Sequence, residues 1–165
     1  ERDDPYKDEY CCVTVVSERL AREDPAAAAK VTRAMLKGAK WVSENQKAAS
    51  ELSVDKEYVP SSPNIKEINT QALLKLNYTP GVSKCRKSLD EAAADMKRAG
   101  LLQAETDPKA LAQKAWQDLD RVTDDWVNGL KVDKAEGRAV LISPVEFAAL
   151  FGGRSCCGHC CCIGE

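Results

Sequence analysis

The spacing of apolar residues predicts a chain that is mostly α-helical. From residue 24 onward, apolar side chains recur every three or four positions, as they do on the buried stripe of a helix. Pairs of an N-cap residue and a proline mark helix starts, because the N–H that proline lacks has no partner at a first helical position. These pairs begin at Asp24, Ser62 and Asp107. The predicted helices cover residues 24–44, 45–52, 62–76, 84–99, 107–119 and 124–130.

One early segment has the pattern of a β-strand instead. Residues 11–16 are apolar, rich in β-branched side chains and contain neither Gly nor Pro, which favours a buried strand. Residues 139–142 are a weaker candidate for a second strand. A lone strand cannot satisfy its own backbone groups, so residues 11–16 pair either with a later strand or with strands outside this sequence. The predicted fold class is mostly α with one or two short strands.

Length and charge narrow the classes of protein. The 165 residues are enough for one compact domain. The 24 basic and 26 acidic residues give a net charge of −2. The basic residues form no cluster, which argues against a nucleic-acid partner. No apolar run reaches about 18 residues, so we expect no membrane span. The sequence also has no signal-peptide pattern, so either the protein is cytosolic or its N-terminal part lies outside this sequence.

The last ten residues contain the densest group of potential metal ligands. Thiolates and imidazole suit Zn²⁺, Cu(I) or an iron–sulfur cluster, and a C-x-x-C spacing lets two sulfur atoms reach one metal ion. Zinc sites usually draw two ligand pairs from separated segments, however, so we favour a tail of reduced or oxidised thiols and expect no cofactor. Zn²⁺ or an iron–sulfur cluster is the alternative. The candidate metal ligands are Cys156, Cys157, His159, Cys160, Cys161 and Cys162.

Five segments, taken in order, carry a resemblance to a known family. They are CCVTVVS (11–17), LAREDP (20–25), WVSEN (41–45), DMKRAGLL (95–102) and DRVTDDW (120–126). Their order and spacing resemble the second half of the NMT1/THI5-like (SsuA-like) solute-binding proteins of ABC-type importers. The resemblance covers roughly residues 8–130. Gln46 stands where that family usually has proline.

The resemblance implies a fold, a function and a location. It implies the C-terminal part of a type II periplasmic-binding-protein α/β fold, with residues 1–10 as a charged leader loop, 11–130 as a partial lobe and 131–165 as a linker and cysteine-rich tail. It implies a periplasmic or extracellular, cell-surface-associated receptor that is not an enzyme. The solute would be a small organic molecule, a sulfonate, nitrate or a thiamine precursor, and the partner an ABC permease.

The resemblance also places Cys11 and Cys12 near a ligand cleft. Successive side chains of a strand face opposite sides, so one of the two thiols would face the cleft and both are candidate ligand-binding residues. Packing in a core is the other role these thiols could have. Catalysis by them is not expected, since no general base lies nearby in the sequence.

Two other functions remain open at this point. A metal- or redox-handling protein would use helices to present the cysteine-rich tail. An enzyme of the pyrimidine-synthase branch of the same superfamily is also compatible with the resemblance, although the tail does not match that branch's cysteine motif in context.

Overall fold

The described part of the chain is mostly helical, as predicted. A computed structural model describes residues 9–10, 12–60 and 62–134. Helices make up 63 % of these residues, and no β-strand is present among them. The helices are α1 (Glu18–Glu23), α2 (Pro25–Glu44), α3 (Gln46–Asp55), α4 (Ile65–Lys75), α5 (Val82–Arg98), α6 (Pro108–Ala115) and α7 (Asp124–Gly129).

The predicted strand at residues 11–16 is wrong for the described residues 12–16. They form neither helix nor strand, and Val13 and Val15 are 48 % and 55 % exposed. β-branched residues favour strands because they pack against neighbouring strands and a covering layer, and none of the described residues forms such a strand. Cys11 and the second candidate strand, residues 139–142, lie outside the described residues.

A short helix, α1, that was not among the predicted helices follows that segment. The Ser17 side chain accepts a hydrogen bond from the Leu20 N–H at 3.2 Å and so caps α1. This hydroxyl satisfies one of the donors that a helix N-terminus leaves without an intrahelical partner. α1 buries no residue, so the periodicity of apolar residues could not reveal it.

Local capping explains the helix boundaries that the sequence predicted well. The Asp24 carboxylate accepts from the Ala27 N–H at 2.9 Å, and the Asp107 carboxylate accepts from the Lys109 N–H at 3.0 Å. At the end of α5, Gly100 has φ 71°, a conformation that favours glycine. The Leu101 N–H donates to the Met96 carbonyl at 2.9 Å, which closes the helix in a Schellman-type cap.

The first of two compact units contains the described residues up to Met35 together with Pro80–Leu130. In this unit α5 packs against α6. Its buried apolar residues are mostly alanines, and the small side chains allow helix backbones to approach one another closely. They are Ala28, Ala29, Ala93, Ala112 and Val127.

The second unit contains Leu36–Thr79 and the described residues that follow Leu130. In this unit α3 packs against α4. The Ser50 hydroxyl is buried and donates to the Lys66 carbonyl at 3.2 Å, while the Asn69 amide donates to the Ser53 hydroxyl at 2.8 Å. Polar bonds between helices thus accompany a small apolar core.

The predicted apolar stripes are only partly buried. Met35, Ile68 and Met96 are apolar residues of the predicted helices 24–44, 62–76 and 84–99, yet they are 39 %, 58 % and 41 % exposed. Helical periodicity identified these helices correctly, but it did not show which positions on the stripe become buried, because the buried positions are largely alanines.

Candidate functional site

The described structure places only one of the residues predicted as functional. Cys12 is exposed. Cys11 and the tail residues at 156–162 lie outside the described residues, so their candidate roles stay predictions. Within residues 9–10, 12–60 and 62–134, no group of three or more His, Cys, Asp or Glu side chains could hold a metal ion. No helix among them is long and apolar enough to cross a membrane, as the sequence predicted.

The first unit brings titratable groups together at the beginning of α5. We call this group the α5 entry cluster, and it consists of Tyr10, Gly81, Cys85, Ser88 and Asp124. Three of its members lie on one face of α5, since positions 81, 85 and 88 are separated by four and three residues. The other two come from the segment before α1 and from α7.

Asp124 closes the N-terminus of α5 from a distant part of the sequence. Its carboxylate accepts from the Val82 N–H at 2.6 Å and from the Ser83 N–H at 3.1 Å. Gly81, the N-cap residue, has no side chain that could do this. The negative charge also complements the positive end of the helix dipole. Hydrogen bonds from the Ser83 side chain and from these two backbone groups lower the pKa of Asp124, against the opposing effect of burial.

Tyr10 lies along the same face of α5. Its backbone N–H donates to the Ser88 hydroxyl at 2.9 Å. Its phenolic oxygen lies 3.1 Å from the position that a Cβ atom on Gly81 would occupy. The side chain therefore spans the turn of α5 that carries Cys85. The Lys84 ammonium lies 5.5 Å from the centre of the ring, at the distance of a cation–π contact.

The electrostatics of the cluster keep its two weak acids protonated. Burial raises the pKa of Tyr10, and the nearby Cys85 and Asp124 groups raise it further. Burial also raises the pKa of the Cys85 thiol. Because the thiolate is the reactive form of cysteine, Cys85 is a poor nucleophile and a poor metal ligand at neutral pH. The cluster thus holds chain segments together and is not arranged for nucleophilic catalysis.

A second polar group on the first unit surrounds Trp116. The Trp116 ring N–H donates to the Asp118 carboxylate at 2.8 Å, and the Arg86 guanidinium lies 5.5 Å from the ring centre. Arg86 and Asp118 are 3.9 Å apart but 50 % and 87 % exposed, so this ion pair stabilises the fold little. One face of Trp116 is taken up by the guanidinium, which disfavours its use as a platform for an aromatic solute.

The second unit contains an open polar depression of about 470 Å³ beside the junction of α2 and α3. The side-chain amide of Asn45 at this junction donates hydrogen bonds to two backbone carbonyls. The Asn45 amide donates to the carbonyls of Trp41 at 3.0 Å and Asp133 at 3.3 Å. We call this site the α3–α4 depression. It is lined by Glu44, Asn45, Gln46, Lys47, Ala48, Glu51 and Leu74.

Gln46 closes the C-terminus of α4. Its amide donates to the carbonyls of Leu73 at 2.9 Å and Leu76 at 3.3 Å. Gln46 therefore has a structural role that proline, which has no side-chain donor, could not fill at this position. Carboxylates and an ammonium group line the depression, which is open and cannot exclude water.

Sequence reasoning missed the roles of Tyr10 and Asp124. Tyr10 lies in the predicted leader loop, and Asp124 was predicted only to begin the helix at residues 124–130. One signal could have indicated the distant cap. α5 begins behind a glycine and has no acidic residue in its first turn, so its N-terminal donors need an acceptor from elsewhere.

Comparison with known proteins yields no relative: no protein-family model, curated protein or solved structure matches this chain. The resemblance to solute-binding proteins therefore stays a prediction from the five sequence segments.

Proposed function

We propose that this chain is part of the solute-binding component of an ABC-type importer and acts without catalysis. It would contribute the C-terminal portion of a type II periplasmic-binding-protein fold. The solute is a small organic molecule, a sulfonate, nitrate or a thiamine precursor. The partner is the importer's permease, and the location is periplasmic or extracellular. The order of the five family-like segments supports the proposal.

The observation that carries the proposal is the exposure of the valines in residues 12–16. Val13 and Val15 are about half exposed although both belong to an apolar β-branched run. Such a run is typical of an inner strand whose neighbouring strands would cover it. It leads directly into the Ser17 cap of α1 and then into α2.

The proposal also explains why a complete ligand site is not expected in this chain alone. Ligand pockets bury about 70–90 % of a small ligand, and two-lobed receptors do so with a wall from each lobe. The α3–α4 depression is open and offers one such wall at most. We propose Cys11 and Cys12 as ligand-contacting residues next to the hinge.

Calorimetric titration tests this function. The ligands are an alkanesulfonate, nitrate and the pyrimidine precursor of thiamine, each titrated into this chain and into the polypeptide translated from its complete open reading frame. We expect micromolar binding of one ligand class to the complete polypeptide and none to this chain. Cys12→Ala should weaken that binding, whereas the control Cys85→Ser should not.

Two results would contradict the proposal. Micromolar binding by this chain alone would show that it is a complete receptor. The second result has two parts: the complete polypeptide binds none of the three ligand classes, and the reading frame encodes no further lobe. Together they would contradict a receptor function.

The metal-handling alternative depends on the tail residues at 156–162, which lie outside the described residues. It is tested by counting thiols that react with a thiol reagent before and after adding a chelator. We expect an unchanged count, because exposed thiols that bind no metal react in either condition. A rise of about three or four thiols on chelation would instead establish a metal site. A low count that rises only with reductant would indicate disulfides in the tail.

A further inference from the structure

The loop between α4 and α5 contains a sequence pattern that none of the sites described above uses. Asn77, Tyr78 and Thr79 form an Asn-x-Thr sequon, the acceptor pattern for N-linked glycosylation, in which the middle residue is not proline. None of the other asparagines in the chain has a serine or threonine two positions later. They are Asn45, Asn64, Asn69 and Asn128.

The structure places this sequon on an exposed loop, as a glycan acceptor requires. α4 ends at Lys75 and α5 begins at Val82, and residues 77–79 between them belong to no helix or strand. All three residues of the sequon are exposed. Leu76 has an extended backbone conformation, which ends α4 before the sequon. A glycan on this loop would therefore displace no buried side chain.

One hydrogen bond shows which atom of the Asn77 amide is used within the loop. The Asn77 Oδ1 atom accepts from the Thr79 N–H at 3.0 Å and closes an Asx turn. Because a backbone N–H can only donate, its partner has to be the amide oxygen and not the amide nitrogen. The nitrogen, which is the atom that a glycan bonds to, therefore lies on the other branch of the amide.

We propose that Asn77 is an N-linked glycosylation site, which receives an oligosaccharide from a polyprenyl diphosphate carrier. The Asn77 Nδ2 atom forms a bond to C1 of the first sugar, while the bond between C1 and the diphosphate oxygen breaks. The amide loses one proton, and the polyprenyl diphosphate leaves with the bonding electron pair. No oxidant or reductant takes part. An oligosaccharyltransferase of the secretory route catalyses the transfer and recognises the Thr79 hydroxyl.

This inference rests on the proposed function only for its location, since the transfer takes place outside the cytosol. Failure of the transfer would leave the receptor function standing, because solute binding does not depend on the glycan. Likewise, failure of solute binding would leave the glycosylation site standing. A glycan at Asn77 would also require the loop between α4 and α5 to face water in the complete polypeptide.

The test translates the full 165-residue chain behind a cleavable signal peptide in the presence of microsomes from the endoplasmic reticulum. The microsomes supply both the enzyme and the lipid-linked oligosaccharide. A mobility shift that peptide N-glycosidase reverses gives the glycosylated fraction. Carrying out that digestion in heavy-oxygen water converts a glycosylated asparagine into a labelled aspartate. Mass spectrometry then locates the label on the tryptic peptide of residues 76–84.

Three variants separate the sequon from the fold of the loop. Asn77→Asp keeps an oxygen that can accept from the Thr79 N–H but has no amide nitrogen to glycosylate. Thr79→Val keeps the branched shape of the side chain and removes its hydroxyl. Asn64→Gln is the matched control, because Asn64 is another exposed asparagine but begins no sequon.

We expect the glycan at Asn77 in the wild type and in Asn64→Gln. Pro80 restricts the backbone of Thr79, so only part of the wild-type chains should carry it. The glycosylated fraction should fall by at least about tenfold in Asn77→Asp and in Thr79→Val. Absence of the glycan from the wild type overturns the proposal. So does an undiminished glycosylated fraction in either of these two variants, which would assign the glycan to another residue or to another recognition signal.

Discussion

The beginning of α5 and the end of α4 face the same physical problem and solve it differently. Both are helix ends whose backbone groups have no partner within the helix. At α5 the partner is the charged carboxylate of Asp124, from 42 residues away in the sequence. At α4 it is the neutral amide of Gln46, 27 residues before Leu73. The first solution makes the stability of the α5 cap depend on pH, whereas the second does not.

The largest effect expected from this comparison is the loss of the α5 cap. Asp124→Ala removes the acceptor for the Val82 and Ser83 N–H groups, and we expect the free energy of unfolding to fall by about 1–2 kcal/mol. Chemical denaturation followed by circular dichroism measures it. Asp125→Ala is the matched control, because Asp125 shares the first turn of α7 and should cost less than about 1 kcal/mol. Equal losses in the two variants would contradict the cap.

The pH dependence separates the charged cap from the neutral one. The pKa of Asp124 is lower in the folded protein than in the unfolded chain, where it is about 3.9. Its contribution is therefore fully present above about pH 3.9 and is lost as pH falls through the lower, folded pKa. The difference in stability between wild type and Asp124→Asn should shrink across this acid range. A difference that stays constant with falling pH would contradict the depressed pKa.

A smaller and pH-independent effect is expected at α4. Gln46→Ala removes the amide that donates to the Leu73 and Leu76 carbonyls, and we expect a loss of about 0.5–1.5 kcal/mol. Denaturation at pH 7 and pH 4 should give the same loss. Lys47→Ala, at the neighbouring exposed position, should stay within about 0.5 kcal/mol of wild type. A loss at Gln46 that changes with pH would show that charged neighbours, not the amide, stabilise this helix end.

The smallest effect concerns the contact between Tyr10 and Gly81. A Cβ atom at position 81 would lie 3.1 Å from the Tyr10 hydroxyl, so Gly81→Ala requires that hydroxyl to move. Tyr10→Phe removes the hydroxyl. In that variant we expect Gly81→Ala to lower the free energy of unfolding by about 0.5 kcal/mol less than it does in the wild type. A double-mutant cycle measures this coupling. Additive effects would show that the two residues are not in contact.

The same comparison shows how far the sequence could predict the structure. Helix ends closed by nearby residues, as at Asp24, Asp107 and Gly100, were predicted because the cap and the helix are adjacent in the sequence. The caps of α5 and α4 depend on contacts between distant segments, which no local pattern encodes. For this reason Asp124 was predicted only at the start of the helix at residues 124–130, and its contact with α5 was not.

The incorrect strand has a different cause. Residues 12–16 have the composition of a strand, but a strand exists only beside another strand, and none of the described residues provides one. Their composition and their conformation therefore disagree. In the proposed receptor this disagreement disappears, since the segment would join a sheet built from strands outside this sequence.

Amide hydrogen exchange at Val13, Thr14 and Val15 tests the proposed receptor most directly. The measurement compares this chain with the polypeptide translated from the complete open reading frame, using the helical amides of α5 as the internal reference. We predict that exchange at these three amides slows by at least about tenfold in the complete polypeptide, because the backbone of an inner strand is hydrogen-bonded to its neighbours. Equal exchange in the two proteins would contradict the assignment of this segment to the sheet of a solute-binding lobe.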